Sequence, residues 1–169
     1  HKTKNTTPDS ITMQKSLHLM VEKKTEYFTL ELSSIALEMG RAWGLDLDVA
    51  IMTNLTHEHM EFHHTMEAYA EAKKLLFSQL GNGRKNGRTK AAVLNADDET
   101  IHSYRIATAA EVISYSVKDE TADFFATDIT YSRTQTRFDL VVNGERYPVV
   151  TNLVGLFNVS NTLAALAAV

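Results

Sequence analysis

Short apolar runs alternate with helix-period stretches along most of this chain, and no other feature restricts its fold so strongly. Residues 27–32 are aromatic and β-branched enough to be extended, 49–53 read as a second, buried strand, 91–94 as a third and 112–115 as a fourth. Helical patterns separate them. Residues 10–24 carry Ile11, Leu17, Leu19, Met20 and Val21 behind the start signals Pro8, Asp9 and Ser10. Ser33 and Ser34 can cap a short helix; a longer helix runs from Met66 to Leu80, and another spans 97–107. Strands joined through helices lie parallel, so the spacing predicts an α/β fold with a mostly parallel, Rossmann-like sheet flanked by helices. From Asp123 the pattern changes to three extended runs, 125–131, 137–142 and 146–150, with Asn143-Gly144 marking a tight hairpin turn. The C-terminal third is therefore expected to be an antiparallel β extension. The alanine- and leucine-rich run 158–169 closes the chain as a buried helix.

The 169 residues amount to about one ordinary domain around a single core. A net charge of −4 and a pI near 6.0 argue against a nucleic-acid binder, whose domain usually shows a basic stripe, and the basic stretch 84–90 reads as a solvated loop. No apolar run approaches the ~20 residues of a membrane span, so no membrane role is expected. Without cysteine, disulfides and thiolate metal sites are excluded. No signal or transit peptide is readable, and a cytoplasmic location is expected. The start at His1, without a methionine, reads as that of an excised fragment.

One lysine is out of place. In the helix after His64, Met66, Tyr69, Ala70, Leu76, Phe77 and Leu80 trace one apolar face, and Lys73 falls on that stripe whereas Lys74 falls off it. An inward ammonium costs several kcal/mol or has its pKa lowered. Lys73 therefore either snorkels its head to the surface or has a partner or a chemical modification. A neutral lysine in a dry site reacts with carbon dioxide to give a carbamate, an anion able to bind a hard cation such as Mg²⁺.

Ligands collect at the carboxyl ends of strands in open α/β sheets. Glu31 at the exit of the first predicted strand, His59 just after the second, and Lys73 converge there. Each has a plainer reading: Glu31 as a first-turn helix carboxylate, His57, His59, His63 and His64 as a polar helix start with packed histidines. The run HEHMEFHH lacks the HExxH spacing of a zinc helix. No GxxxxGK[ST] loop is present; GNGRKNG at 81–87 precedes a strand and reads as a mobile loop.

Taken in order, NTTPDS at 5–10, ELSS at 31–34 with Gly40-Arg41, DVAIMTNLTHEH at 48–59, HTMEAYAEAKKLLF at 64–77, LNADDE at 94–99 and GLFNVSN at 155–161 resemble the central, ATP-binding domain of the Mur ligases, within the UDP-N-acetylmuramoyl-tripeptide synthetase (MurE-type) branch. The resemblance covers nearly the whole chain. It implies a P-loop-type sheet, ATP and Mg²⁺ as cofactors, and a muramoyl-dipeptide nucleotide and an amino acid as substrates of a monomeric ligase. It makes Lys73 the carbamylated lysine, a catalytic group, with Glu31 and His59 as its companions at a second magnesium. Thr6, Thr7, Ser33 and Arg41 match positions that hold the muramoyl peptide, and Asn158 and Asn161 those that read the adenine. Asn158 would otherwise be only a helix N-cap, and Asp97 and Asp98 stay helix-start carboxylates. The phosphate loop is expected upstream of His1, the amino-acid-binding domain downstream of Val169, and the UDP-binding domain is absent, so the fragment alone is expected to be inactive.

The chain departs from that branch at Ile35, where SSH is usual, at 56–59 for SRDH and at 61–64 for DYHG, with His64 in the glycine's place. A paralogue with a different acceptor stays open. So do a folylpolyglutamate- or cyanophycin-synthetase-like ligase and a noncatalytic metal-binding module built on His57, His63 and His64.

Overall fold

The computed structural model describes residues 6–56, 60–82, 84–85 and 87–169, which gather into two compact units, His1–Asp46 with His57–Leu76 and Leu47–Thr56 with Phe77–Val169. In chain order the elements are α1 (Ser10–Glu22), α2 (Ser34–Glu38), β1 (Val49–Met52), α3 (Met60–His63), α4 (Met66–Leu80), β2 (Arg84–Lys85), β3 (Arg88–Thr89), β4 (Ala91–Asn95), α5 (Ile101–Ala107), β5 (Glu111–Ser116), β6 (Phe124–Tyr131), β7 (Thr136–Val142), β8 (Glu145–Thr151) and α6 (Leu156–Ala167).

The second unit holds a six-stranded sheet in the order β1-β4-β5-β6-β7-β8 among the described residues. The pairings β1–β4, β4–β5 and β5–β6 are parallel, and β6–β7 and β7–β8 are antiparallel. The α/β class and the antiparallel extension are as the pattern predicts. Parallel neighbours normally need a long crossover, yet only residues 117–123 join β5 to β6. The register explains this: Tyr115 and Ser116, the last residues of β5, pair with Phe124 and Phe125, the first of β6. β6 starts level with the end of β5, so the chain need not return to the bottom of the sheet. The Asp123 carboxylate fastens this junction by accepting from the Ser114 amide at 2.7 Å and the Ser114 hydroxyl at 2.6 Å.

The core lies where α6 covers the sheet. Val159, Leu163, Ala164 and Ala167 pack on Val93, Tyr115, Ala126, Phe138 and Leu140. Alternation along β4 turns Ala92 and Leu94 to the face opposite Val93, and both are fully buried. α5 packs on β4, and its Tyr104 stacks on Phe77 with ring centroids 5.1 Å apart. β7 buries Thr136, Phe138 and Leu140 alternately, the period of a half-buried strand. Asn143 and Gly144 have φ of 52° and 78°, the left-handed pair of a two-residue hairpin turn. A register shift between Thr127 and Thr130, with Asp128 at φ 56°, makes a bulge in β6.

Four expectations need correction. Residues 27–32 form no strand: they lie in irregular backbone outside any ladder, and Tyr27 is 82% exposed. β propensity measures how a side chain fits a half-buried pleated surface, and without a neighbouring strand it does not act. The glycine-rich loop carries a short antiparallel ribbon, β2 with β3. The predicted helix at 97–107 begins at Ile101, and α6 begins at Leu156 with Gly155 as its N-cap, so Asn158 is not the cap. α1 holds its predicted start, Asp9 accepting from the Thr12 amide at 2.9 Å, a bond that lowers the Asp9 carboxyl pKa. Its apolar residues Ile11, Leu19 and Val21 are nevertheless exposed and Met13 is its buried residue.

The first unit explains one departure in the motif residues. His64 follows α3 at φ 64°, a conformation that costs a side-chain-bearing residue roughly 1–2 kcal/mol and glycine almost nothing. The backbone there still follows the glycine-type path. His64→Gly is expected to stabilise the fold by about 0.5–1 kcal/mol, the relief of strain exceeding the added flexibility of the unfolded chain; urea unfolding of the two proteins measures it.

Candidate functional site

In the first unit the residues flagged from the amino-terminal motifs converge on Thr7. Its side chain is buried, at 1% exposure. The hydroxyl donates to the Glu31 carbonyl at 2.9 Å and accepts from the Ser33 amide at 3.2 Å. The Thr7 carbonyl accepts from Arg41 Nη1 at 3.1 Å. One threonine thus binds the 5–10 and 31–34 motifs and the Arg41 guanidinium together. Ser33, itself extended at φ −70° and ψ 151°, caps α2 by accepting from the Ala36 amide at 3.2 Å. Glu31 and Thr6 are exposed.

A second set of contacts leads from the same motif to Lys73. Ser34 is buried, and its hydroxyl lies 2.8 Å from His63 Nε2. The other ring nitrogen, Nδ1, is 3.3 Å from Glu38 Oε2. The imidazole stacks on Tyr69 with centroids 5.2 Å apart, and Lys73 Nζ sits 5.3 Å from the Tyr69 ring centroid. Lys73 is half-buried on the stripe that Tyr69, Phe77 and Leu80 bury. Its position over the negative face of a ring is a cation–π arrangement. Lys74, off the stripe, pairs with Glu71. With both nitrogens engaged, His63 is a packed core histidine, which counts against the histidine metal module. His57 and His59 lie outside the described residues, and among the described residues no group of three histidine, aspartate or glutamate side chains is placed to hold a metal.

In the second unit the carboxyl ends of β1, β4 and β5 are tied together by residues that helix-start readings did not anticipate. Asp98 Oδ2 accepts from the Leu55 amide at 2.7 Å, and Oδ1 accepts from the Thr100 amide at 2.9 Å. Asn95 Nδ2 donates to the Thr53 carbonyl at 2.6 Å while its Oδ1 accepts from the Asp97 amide at 3.0 Å. Asp97 faces the other way, accepting from the Ser116 hydroxyl and, at 2.9 Å, from the Val117 amide. The Tyr115 hydroxyl donates to the Met52 carbonyl at 3.0 Å, and burial pushes its pKa well above that of an ordinary phenol. The two adjacent aspartates therefore hold opposite neighbours of β4. The sequence signal was their position straight after a strand, short of the helix.

Asn158 and Asn161 lie one turn apart in α6. The Asn158 amide donates to the Val154 carbonyl at 3.0 Å, and Asn161 is exposed. Gly155, at φ 118°, lets the chain turn into this helix beneath Phe157.

Comparison with known proteins gives one family. The profile of the Mur ligase middle domain matches residues 1–169. A UDP-N-acetylmuramoyl-L-alanyl-D-glutamate--2,6-diaminopimelate ligase of Bacillus cereus is 47% identical over 165 residues, 98% of this chain and 33% of the relative. The ligase of the same name from Lactiplantibacillus plantarum is 46% identical over 98% of this chain and 34% of its own length. A solved structure of such a ligase superposes with a TM-score of 0.82 at 34% identity, over 94% of this chain and 32% of that one. The chain thus spans about a third of the length of the curated relatives it matches.

The Thr7 hub is open to a direct test. Thr7→Val keeps the shape but leaves the Glu31 carbonyl and the Ser33 amide without that partner, and a loss of about 1–3 kcal/mol is expected in urea unfolding. Thr7→Ser, which keeps the hydroxyl, is expected to retain most of the stability.

Proposed function

Because the chain belongs to the Mur ligase middle-domain family, we propose that it serves as the central, ATP-binding part of an ATP-dependent amide ligase that adds an amino acid to UDP-N-acetylmuramoyl-L-alanyl-D-glutamate in peptidoglycan precursor synthesis. The observation that carries this reading is the 47% identity, along 98% of the chain, to a ligase named for that substrate. In the reaction the terminal carboxylate of the peptide attacks the γ-phosphorus of ATP, ADP leaves, and an acyl-phosphate forms. The amine of the incoming amino acid then attacks the acyl carbon, phosphate departs with the bonding pair, and the ammonium proton is released.

Arg41, fixed by its bond to the Thr7 carbonyl, keeps further guanidinium donors with which to hold a substrate carboxylate. Thr7 is buried with its hydroxyl turned inward, so it braces the two motifs from within, and the exposed Thr6 and the α2 start at Ser33 are the contact points for the muramoyl peptide. Asn158 and Asn161 read the adenine edge. The half-buried Lys73, once neutral, adds its amine to carbon dioxide and releases a proton, becoming a carbamate. That change suits a hard cation: an ammonium held over Tyr69 cannot ligate, whereas carbamate oxygens, with Glu31 and His59, supply donors that Mg²⁺ accepts. When bound, Mg²⁺ neutralises charge on the transferring phosphoryl group. No described helix is long and apolar enough to cross a membrane.

The full-length enzyme is expected to release phosphate only when ATP, the muramoyl dipeptide and an amino acid are all present. Lys73→Met should lower kcat by about a hundredfold or more and abolish the carbamate carbon resonance seen with ¹³C-bicarbonate. Wild-type turnover by Lys73→Met would overturn the role given to this lysine.

A further inference from the structure

Helix α4 carries Tyr69 and Lys73 four residues apart, so their side chains rise from one face a single turn from each other. Long side chains on a helix lean back toward its start, which lays the Lys73 stem over the turn that holds Tyr69. The contact agrees: Lys73 Nζ sits 5.3 Å from the ring centroid. A lysine stem has many rotamers, and ordering it is costly. A fixed ring beneath it narrows the choice.

The Tyr69 ring is itself held. It is buried, at 3% exposure, and His63 stacks on it with the ring planes 24° apart, while Phe62 meets the imidazole edge-on with centroids 4.9 Å apart. An apolar ring in place of His63 could fill the same space and still slide or turn. The imidazole cannot, because Ser34 Oγ lies 2.8 Å from Nε2 and Glu38 Oε2 lies 3.3 Å from Nδ1, which together fix its plane. Ser34 and Glu38 are the first and last residues of α2, four apart, so one face of that helix presents both partners. The meeting of His63 with Tyr69 follows from the short connection between α3 and α4, which is only His64 and Thr65. His64 turns the chain at φ 64°, and the Thr65 hydroxyl starts α4 by accepting from the Ala68 amide at 3.1 Å. All of these residues belong to the first unit.

We infer that His63, locked by Ser34 and Glu38, is a positioning residue that fixes the Tyr69 ring and, through it, the path of the Lys73 side chain. This rests on the reading of Lys73 as a magnesium ligand after carbamylation, and it adds to that reading the groups that aim the ligand from behind. Partners that orient metal ligands typically change affinity 10–100-fold when removed. A stacked ring acts here by contact, where a hydrogen bond more often serves.

The test uses the full-length enzyme with saturating ATP, muramoyl peptide and amino acid. Tyr69→Leu, which stays apolar but removes the ring, is expected to raise the Mg²⁺ concentration for half-maximal rate by about tenfold or more. In magnesium-free enzyme treated with ¹³C-bicarbonate, the carbamate carbon resonance should also shift or broaden, because the group no longer has one orientation. His63→Phe keeps a ring and loses both polar anchors, and is expected to give smaller changes of both kinds; it keeps the test available if Tyr69→Leu folds poorly. Tyr69→Phe retains the ring and should lie closer to wild type than Tyr69→Leu on both readouts. A purely structural role predicts a lower melting temperature with the wild-type Mg²⁺ requirement and resonance, and that result overturns the inference. Lys73→Met separates the two layers. If it abolishes the resonance and raises the Mg²⁺ requirement while the Tyr69 and His63 variants change neither, the positioning role alone is wrong; if it leaves the requirement unchanged, the ligand reading fails and the inference falls with it.

Discussion

β4 is the strand on which the second unit is organised. It is paired on both edges, it is buried on both faces, and its carboxyl end supplies the turn that ties its two neighbours. A strand with two parallel partners spends all its ladder groups inside the sheet, so polar groups just past its end must be satisfied by side chains. The LNADD sequence does this with one amide and two carboxylates. Asn95 and Asp98 serve β1, and Asp97 serves β5. Once these are placed, the exits of three strands share one hydrogen-bonded rim.

Much of this was legible in the chain. The strands at 49–53, 91–94 and 112–115, the antiparallel runs and the Asn143-Gly144 turn follow from period, β-branching and turn chemistry, which are local. Residues 27–32 carried the same local signal and make no ladder, because strand propensity acts only where a neighbour exists. α1 was also found, yet Ile11, Leu19 and Val21 face outward; a helix start is written in capping residues, whereas its buried side depends on what packs against it.

The candidate site divides along the same line. Lys73 was recognisable because a charge on an apolar stripe conflicts with its own periodicity. The Thr7 hub was not, since a buried threonine looks like any other until two segments 24 residues apart meet at its hydroxyl. His63 showed the reverse: one member of the cluster that suggested metal is an imidazole packed between Ser34, Glu38 and Tyr69. Long-range hydrogen bonds of this kind leave no trace in spacing.

The place where β6 begins has a consequence for how the second unit forms. Because β6 starts beside the end of β5 and continues as a meander through β7 and β8, its contacts join residues close in sequence, closing loops whose entropy cost is small. β1 differs: Val49 pairs with Ala91 across an intervening segment, and that closure is repaid only once β4 is in place. Contacts of short sequence separation form fastest, so the topology favours the meander assembling early and β1 docking late. The edge strand β1 is then among the last parts of the sheet to be held.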